Sequence, residues 1–211
     1  MVLKNYIKTM KTINNYISER LHLTKNLAAN AKYQTEYKYK PTSRKELIKN
    51  IIDEYKEQKK DVIDNRDLEL DLTMIDTSEI DDMSYVFQYY PTKTIDLSTW
   101  DVSHVKDMEN MFAQCKNLTD VYGLDKWKTD SLTNIYQMFT GAKQLKNIGD
   151  ISSWNFKKIK YMAMAFYGCE NLEDIGDLDN ITLCDGADTE FMFGGCKKLY
   201  DKLPKWYKQY K

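Results

Sequence analysis

A chain of 211 residues, 42% apolar and 13% aromatic, holds enough core-forming material for one or two packed domains. No stretch approaches the ~18 apolar residues of a membrane-spanning helix, which excludes that class. The net charge of −1 conceals an asymmetry: residues 1–60 carry 14 Lys or Arg against 6 Asp or Glu (+8), residues 61–211 carry 17 against 26 (−9), and the two fields attract different surfaces.

In chain order, Leu3, Ile7, Met10, Ile13, Ile17 and Leu21 form one apolar stripe, predicting a helix that ends near Leu23. The Lys- and Tyr-rich run through Tyr33, Tyr37 and Tyr39 reads as extended, and Pro41 stops it. Residues 1–40 are therefore expected to be a basic attachment segment. Aromatics among cations can stack on nucleic-acid bases, but no nucleic-acid motif is present. A protein partner is the expectation, met by Ile13, Ile17, Tyr33, Tyr37 and Tyr39, and the helix also offers a surface for self-association.

Residues 41–73 read as an N-terminal cap. Ser43 with Glu46 three residues on is a capping box. Leu47, Ile48, Ile51, Ile52 and Tyr55 then form the inner face of a helix. Leu68, Leu70 and Leu72 alternate with Glu69 and Asp71, as in a half-buried strand. Helix and strand are expected to cover an edge that would otherwise pair with other chains.

Residues 74–211 are governed by a 27-residue period. Phe112, Phe139, Phe166 and Phe193 recur in phase, as do Leu118, Leu145, Leu172 and Leu199, and Trp100, Trp127 and Trp154. A shorter first unit starts at Ile75, and the last breaks at Pro204. Val105, Met108, Met111, Phe112 and Cys115 have helical spacing, whereas Leu118, Val121 and Leu124 outline a brief strand. The expected fold is α/β: a leucine-rich-repeat solenoid of about five helix–strand units with a parallel sheet, preceded by a helical N-terminal segment and cap.

Cys115, Cys169 and Cys196 share one repeat position with Ala142, which asks for a small buried side chain. Free packed thiols are expected, with a Cys169–Cys196 bridge as the alternative. Asp120, Asn147 and Asp174 share another position, as do Asp96, Asp150 and Asp177. Turn hydrogen bonds explain these rows more simply than calcium. The acidic face around Asp120, Tyr122 and Asp174 is the second candidate contact surface. The Trp row aligns with Ile75 and Ile181, so it is expected in the core rather than in a sugar site. There is no phosphate loop, nucleophile elbow or metal-ligand helix, and only two histidines, His22 and His104. No enzyme activity, cofactor or metal is expected.

The strings Ile95-Asp96-Leu97-Ser98-Thr99-Trp100 and Gly149-Asp150-Ile151-Ser152-Ser153-Trp154, with Met111-Phe112 and Cys115 before the strand, resemble the BspA-type leucine-rich repeats of bacterial surface proteins and mycoplasma lipoproteins, over roughly residues 67–206. The resemblance implies a solenoid for adhesion or protein contact without enzymatic activity. Tyr16 to Leu23 and Tyr37 to Leu47 are in turn similar to the lead-in of repeat proteins encoded by tailed phages. Surface members are secreted, but residues 1–8 offer no secretion signal. The expectation is a phage-encoded virion or accessory protein, in the virion or the host cytoplasm. The alternative is a bacterial adhesion repeat without its export signal.

Overall fold

The computed structural model describes residues 37–61, 64 and 67–207. The predicted first helix, with Ile13 and Ile17, and Tyr33 of the extended run after it lie outside the described residues. The fold is mixed α/β, with a small parallel three-stranded sheet and few helices. No helix among the described residues is long and apolar enough to cross a membrane.

The helix and the strand predicted within residues 41–73 form largely as their residues dictate. Helix α1 spans Arg44–Gln58, and Ser43 Oγ accepts the Glu46 N–H at 3.4 Å. The return bond of the capping box closes one residue early, because Glu46 Oε2 accepts the Thr42 N–H at 2.8 Å. Leu47 and Ile51 are buried, Ile48 and Tyr55 pack at the margin of the core, and Ile52 is exposed. Residues 38 and 39 are bonded to the fold, since Tyr39 pairs with Ile75 and its carbonyl accepts the Asp76 N–H at 2.9 Å.

Strands β1 (Glu69–Asp71), β2 (Thr94–Asp96) and β3 (Asp120–Tyr122) pair in parallel, with Leu70 beside Ile95 and Ile95 beside Val121. The predicted alternation holds in β1, where Leu68, Leu70 and Leu72 are all buried. Later copies continue the ladder as single bridges, Asp120 to Asn147 and Asn147 to Asp174. Gln58 closes the outer edge. Its side-chain amide donates to Asp71 O at 2.6 Å and accepts the Asp71 N–H at 2.9 Å, replacing a neighbouring strand.

The helices predicted inside the repeats do not form. A second parallel ladder occupies their place, running Asp82, Asp107, Asn134, Tyr161, Asp188. Within it the amides alternate. Met111, Ala113 and Cys115 donate to carbonyls three residues back, whereas Met108, Asn110, Phe112 and Gln114 donate to the next copy at 2.7–2.9 Å. The alternation requires left-handed residues, and Tyr85, Asn110, Gln137, Met164 and Phe191 at one repeat position have φ of 50–62°. A second such position holds Tyr89, Gln114, Gly141, Gly168 and Gly195. Linked turns place residues i and i+3 on one side, as a helix does. The inward set is therefore the predicted one: Met108, Met111, Phe112 and Cys115 are fully buried.

The core follows the period. Phe87, Phe112, Phe139, Phe166 and Phe193 stack with centroid spacings of 5.2, 4.9, 5.5 and 5.5 Å. Trp100, Trp127 and Trp154 are buried, and the Trp100 and Trp154 indoles donate to Leu72 O and Leu124 O at 3.0 and 2.9 Å.

Candidate functional site

The described part of the predicted contact surface lies on the outward side of the small sheet. Strand register places Glu69, Thr94 and Asp120 in one row and Asp71, Asp96 and Tyr122 in the next. Neighbouring strands stand ~4.8 Å apart. The inward residues Leu70, Ile95 and Val121 are buried, which fixes the opposite side outward.

Most Asp and Asn side chains along the repeat serve the backbone. Asp71, Asp96, Asn147 and Asp174 accept the N–H two residues on at 2.9–3.0 Å. Asp101, Asp150 and Asp177 do the same at 2.8–2.9 Å. Every member of the two rows except Asp120 is therefore turn-forming. No group of three His, Cys, Asp or Glu that could hold a metal occurs among the described residues.

Asp120 and Glu69 differ. Neither carboxylate bonds to another described group, and Tyr122, two residues from Asp120 on β3 and beside Asp96 on β2, has 47% of its surface exposed. Burial and the negative charges of Asp120, Glu69 and Asp96 raise the Tyr122 hydroxyl above its usual range, so the phenol remains a neutral donor. Asp174 lies on the Asp120 row two copies on, but Lys202 approaches it at 3.6 Å. The Gly176 N–H and then Lys202, against partial burial, lower its carboxyl. The structure thus joins Asp120 and Tyr122 on one open face and closes its Asp174 end with lysine.

Tyr37 and Tyr39 lie elsewhere. Tyr37 is half-buried, and its hydroxyl is raised by burial, Asp76 and Asp101. The Tyr39 hydroxyl donates to Glu54 at 2.9 Å, beside an ion pair between Lys38 and Glu54. Tyr39 therefore acts inside the fold.

The cysteines are free, and three are buried. Cys115, Cys169 and Cys196 each donate to the carbonyl of a phenylalanine one copy back: Phe87, Phe139 and Phe166, at 2.9–3.2 Å. Burial pushes the Cys115 and Cys196 thiols up to about 12.

The sequence reading missed the exposed Tyr161, Tyr167 and Tyr200 and a hollow beside Gly195. One signal was present: Gly141, Gly168 and Gly195 recur every 27 residues, where a helix interior disfavours glycine.

No curated protein and no solved structure matches the chain. A family model described as "Mycoplasma protein of unknown function, DUF285" matches residues 56–175 and 81–206. The matched residues contain the small sheet, the stacked phenylalanines and the buried cysteines, so the repeating unit is what the family shares with this protein, and the chain belongs to the DUF285 family.

Proposed function

We propose that the chain is a non-enzymatic protein-binding or structural module. In this reading it is a BspA-type leucine-rich-repeat solenoid of about five units, attached to its assembly through residues 1–40. The sheet face at Tyr122 carries the reading. Its ring is exposed beside two carboxylates that bond to no other described group, on a backbone held by ladders. Such a side chain loses little conformational freedom on binding, which favours recognition. The fitting partner is a protein with basic groups around an apolar contact.

Two settings suit such a module. One is a phage virion or accessory protein, as the N-terminal lead-in suggests. The other is a bacterial surface protein, favoured by the match to a mycoplasma family. Mass spectrometry of purified virions and of peptides shaved from intact cells separates them. A photo-crosslinker at position 122 of the full chain is expected to capture a protein in one of those assemblies, and Asp120→Lys is expected to abolish the crosslink. Capture unaffected by Asp120→Lys would overturn the assignment of this face.

A further inference from the structure

The second ladder has a chemical polarity. Phe87, Phe112, Phe139 and Phe166 each donate an N–H to the next copy at 2.7–2.8 Å. Their neighbours two residues away do the same, so these N–H groups all point toward the C-terminal end. In this stretch the carbonyls of the intervening residues, Met111, Ala113, Met138 and Ala165 among them, accept from the copy before. The last copy therefore ends in a row of donors rather than the alternating donors and acceptors of an ordinary strand edge.

One donor of that row already holds an oxygen. The Phe193 N–H donates to the Tyr207 hydroxyl at 3.4 Å, where a further copy would have placed a carbonyl. The Gly195 N–H has no such partner. Its counterparts on Gly141 and Gly168 donate to Tyr167 O and Gly194 O at 2.8 and 2.7 Å, whereas no described group accepts from Gly195. Gly195 borders a hollow of about 210 Å³ walled by Phe191, Tyr200, Leu203 and Tyr207, and Lys197 lines it. Lys197 shares one carboxylate, Glu170, with Lys143, which leaves one positive charge over.

We infer that this hollow binds the C-terminal carboxylate of a peptide ending in an apolar residue. The carboxylate accepts from the Gly195 N–H and takes the Lys197 ammonium as counter-charge. A charge-assisted bond of this kind is about twice as strong as a neutral one. The terminal side chain seats against Leu203 and Tyr200. Donor-only geometry selects an anion over an added β-strand, which would present an N–H to every second site. The hollow shares no residue with the Tyr122 face, so either assignment can fail without the other.

The test uses the full chain, ¹⁵N-labelled, titrated with the peptide N-acetyl-Gly-Gly-Leu-Phe as free acid and as C-terminal amide. The free acid is expected to shift the Gly195 amide and saturate in the millimolar range or below, roughly Kd 1 mM. The amide is expected to bind at least tenfold more weakly, and Lys197→Met to weaken the acid severalfold while the rest of the spectrum stays native. Equal binding of acid and amide would overturn the carboxylate assignment, as would an unmoved Gly195 resonance. A Lys197→Met chain that binds as tightly as the parent would also overturn it.

Discussion

Left-handed backbone at non-glycine residues is the main local strain in this repeat. Tyr89 has φ of 61° and is 66% exposed, so it bears the conformational cost while burying little. A left-handed L-residue costs roughly 1–2 kcal/mol, of which glycine's extra unfolded-state freedom takes back a part. Tyr89→Gly should therefore stabilise the protein by about 0.5–1 kcal/mol, read as a higher midpoint in urea at unchanged slope. Phe139 is the opposite case. It is fully buried between the rings of Phe112 at 4.9 Å and Phe166 at 5.5 Å. Phe139→Ala should cost ~3–5 kcal/mol, because neighbours held by their own ladder bonds cannot collapse into the space. A loss below ~1 kcal/mol would show that the stack is not a rigid core.

Helix α1 and the short segment before it act together through Glu54. This carboxylate is 3% exposed and receives Lys38, Tyr39 and Gln58, and Gln58 in turn closes the edge of β1. Burial pushes its carboxyl up, and the hydrogen bonds from Lys38, Gln58 and Tyr39 more than reverse that, leaving it below the usual range. A carboxyl lowered in the folded state contributes stability above its unfolded value of about 4.3, and loses it as pH falls through the folded value. Glu54→Gln should accordingly flatten the acid limb of a stability-against-pH curve below that value, with no change of shape near neutrality. The same contacts bear on where the folded unit begins. A chain starting at Pro41 loses Lys38, Tyr39 and the pairing with Ile75 and should melt lower than one starting at Tyr37.

How far these elements can be read without coordinates depends on which local signal is unique. Leu68, Leu70 and Leu72 alternate, and only a strand alternates. Ser43 and Glu46 mark a helix start because few other structures need that pair. Met108, Met111 and Cys115 are three or four apart, which a helix and a run of linked turns both satisfy. The inward residues were legible there and the backbone was not. Gly141, Gly168 and Gly195 could have decided the matter, since a recurring glycine inside a helix is costly and a left-handed turn demands one. Asp120 and Tyr122 were legible as a surface because the strand period set their side. The hollow at Gly195 was not, because it depends on where Leu203 and Tyr207 return.

For the molecule as a whole, repetition makes stability a sum over neighbours, and the two ends differ in what replaces the missing copy. At the N-terminal end a whole helix packs on the core. At the C-terminal end, among the described residues, Trp206 and Tyr207 cover the last copy. Trp206 donates its indole N–H to Leu178 O at 2.7 Å, the role that Trp154 plays toward Leu124, and Tyr207 meets the Phe193 ring edge-on at 5.1 Å. The C-terminal copy should therefore open at lower free energy than the middle, and the thiols report it by position. Cys115 and Cys169 lie in inner copies and Cys196 in the last, all buried, whereas Cys184 is half-buried. A thiol reagent on native protein should modify Cys184 first. Cys196 should follow through opening of the last copy, and Cys169 and Cys115 much later, since raised thiols leave little thiolate and only opening exposes them. Trp206→Ala should accelerate Cys196 while leaving Cys115 unchanged. Identical rates at Cys115, Cys169 and Cys196 would mean one all-or-none opening, and would refute a weaker C-terminal end.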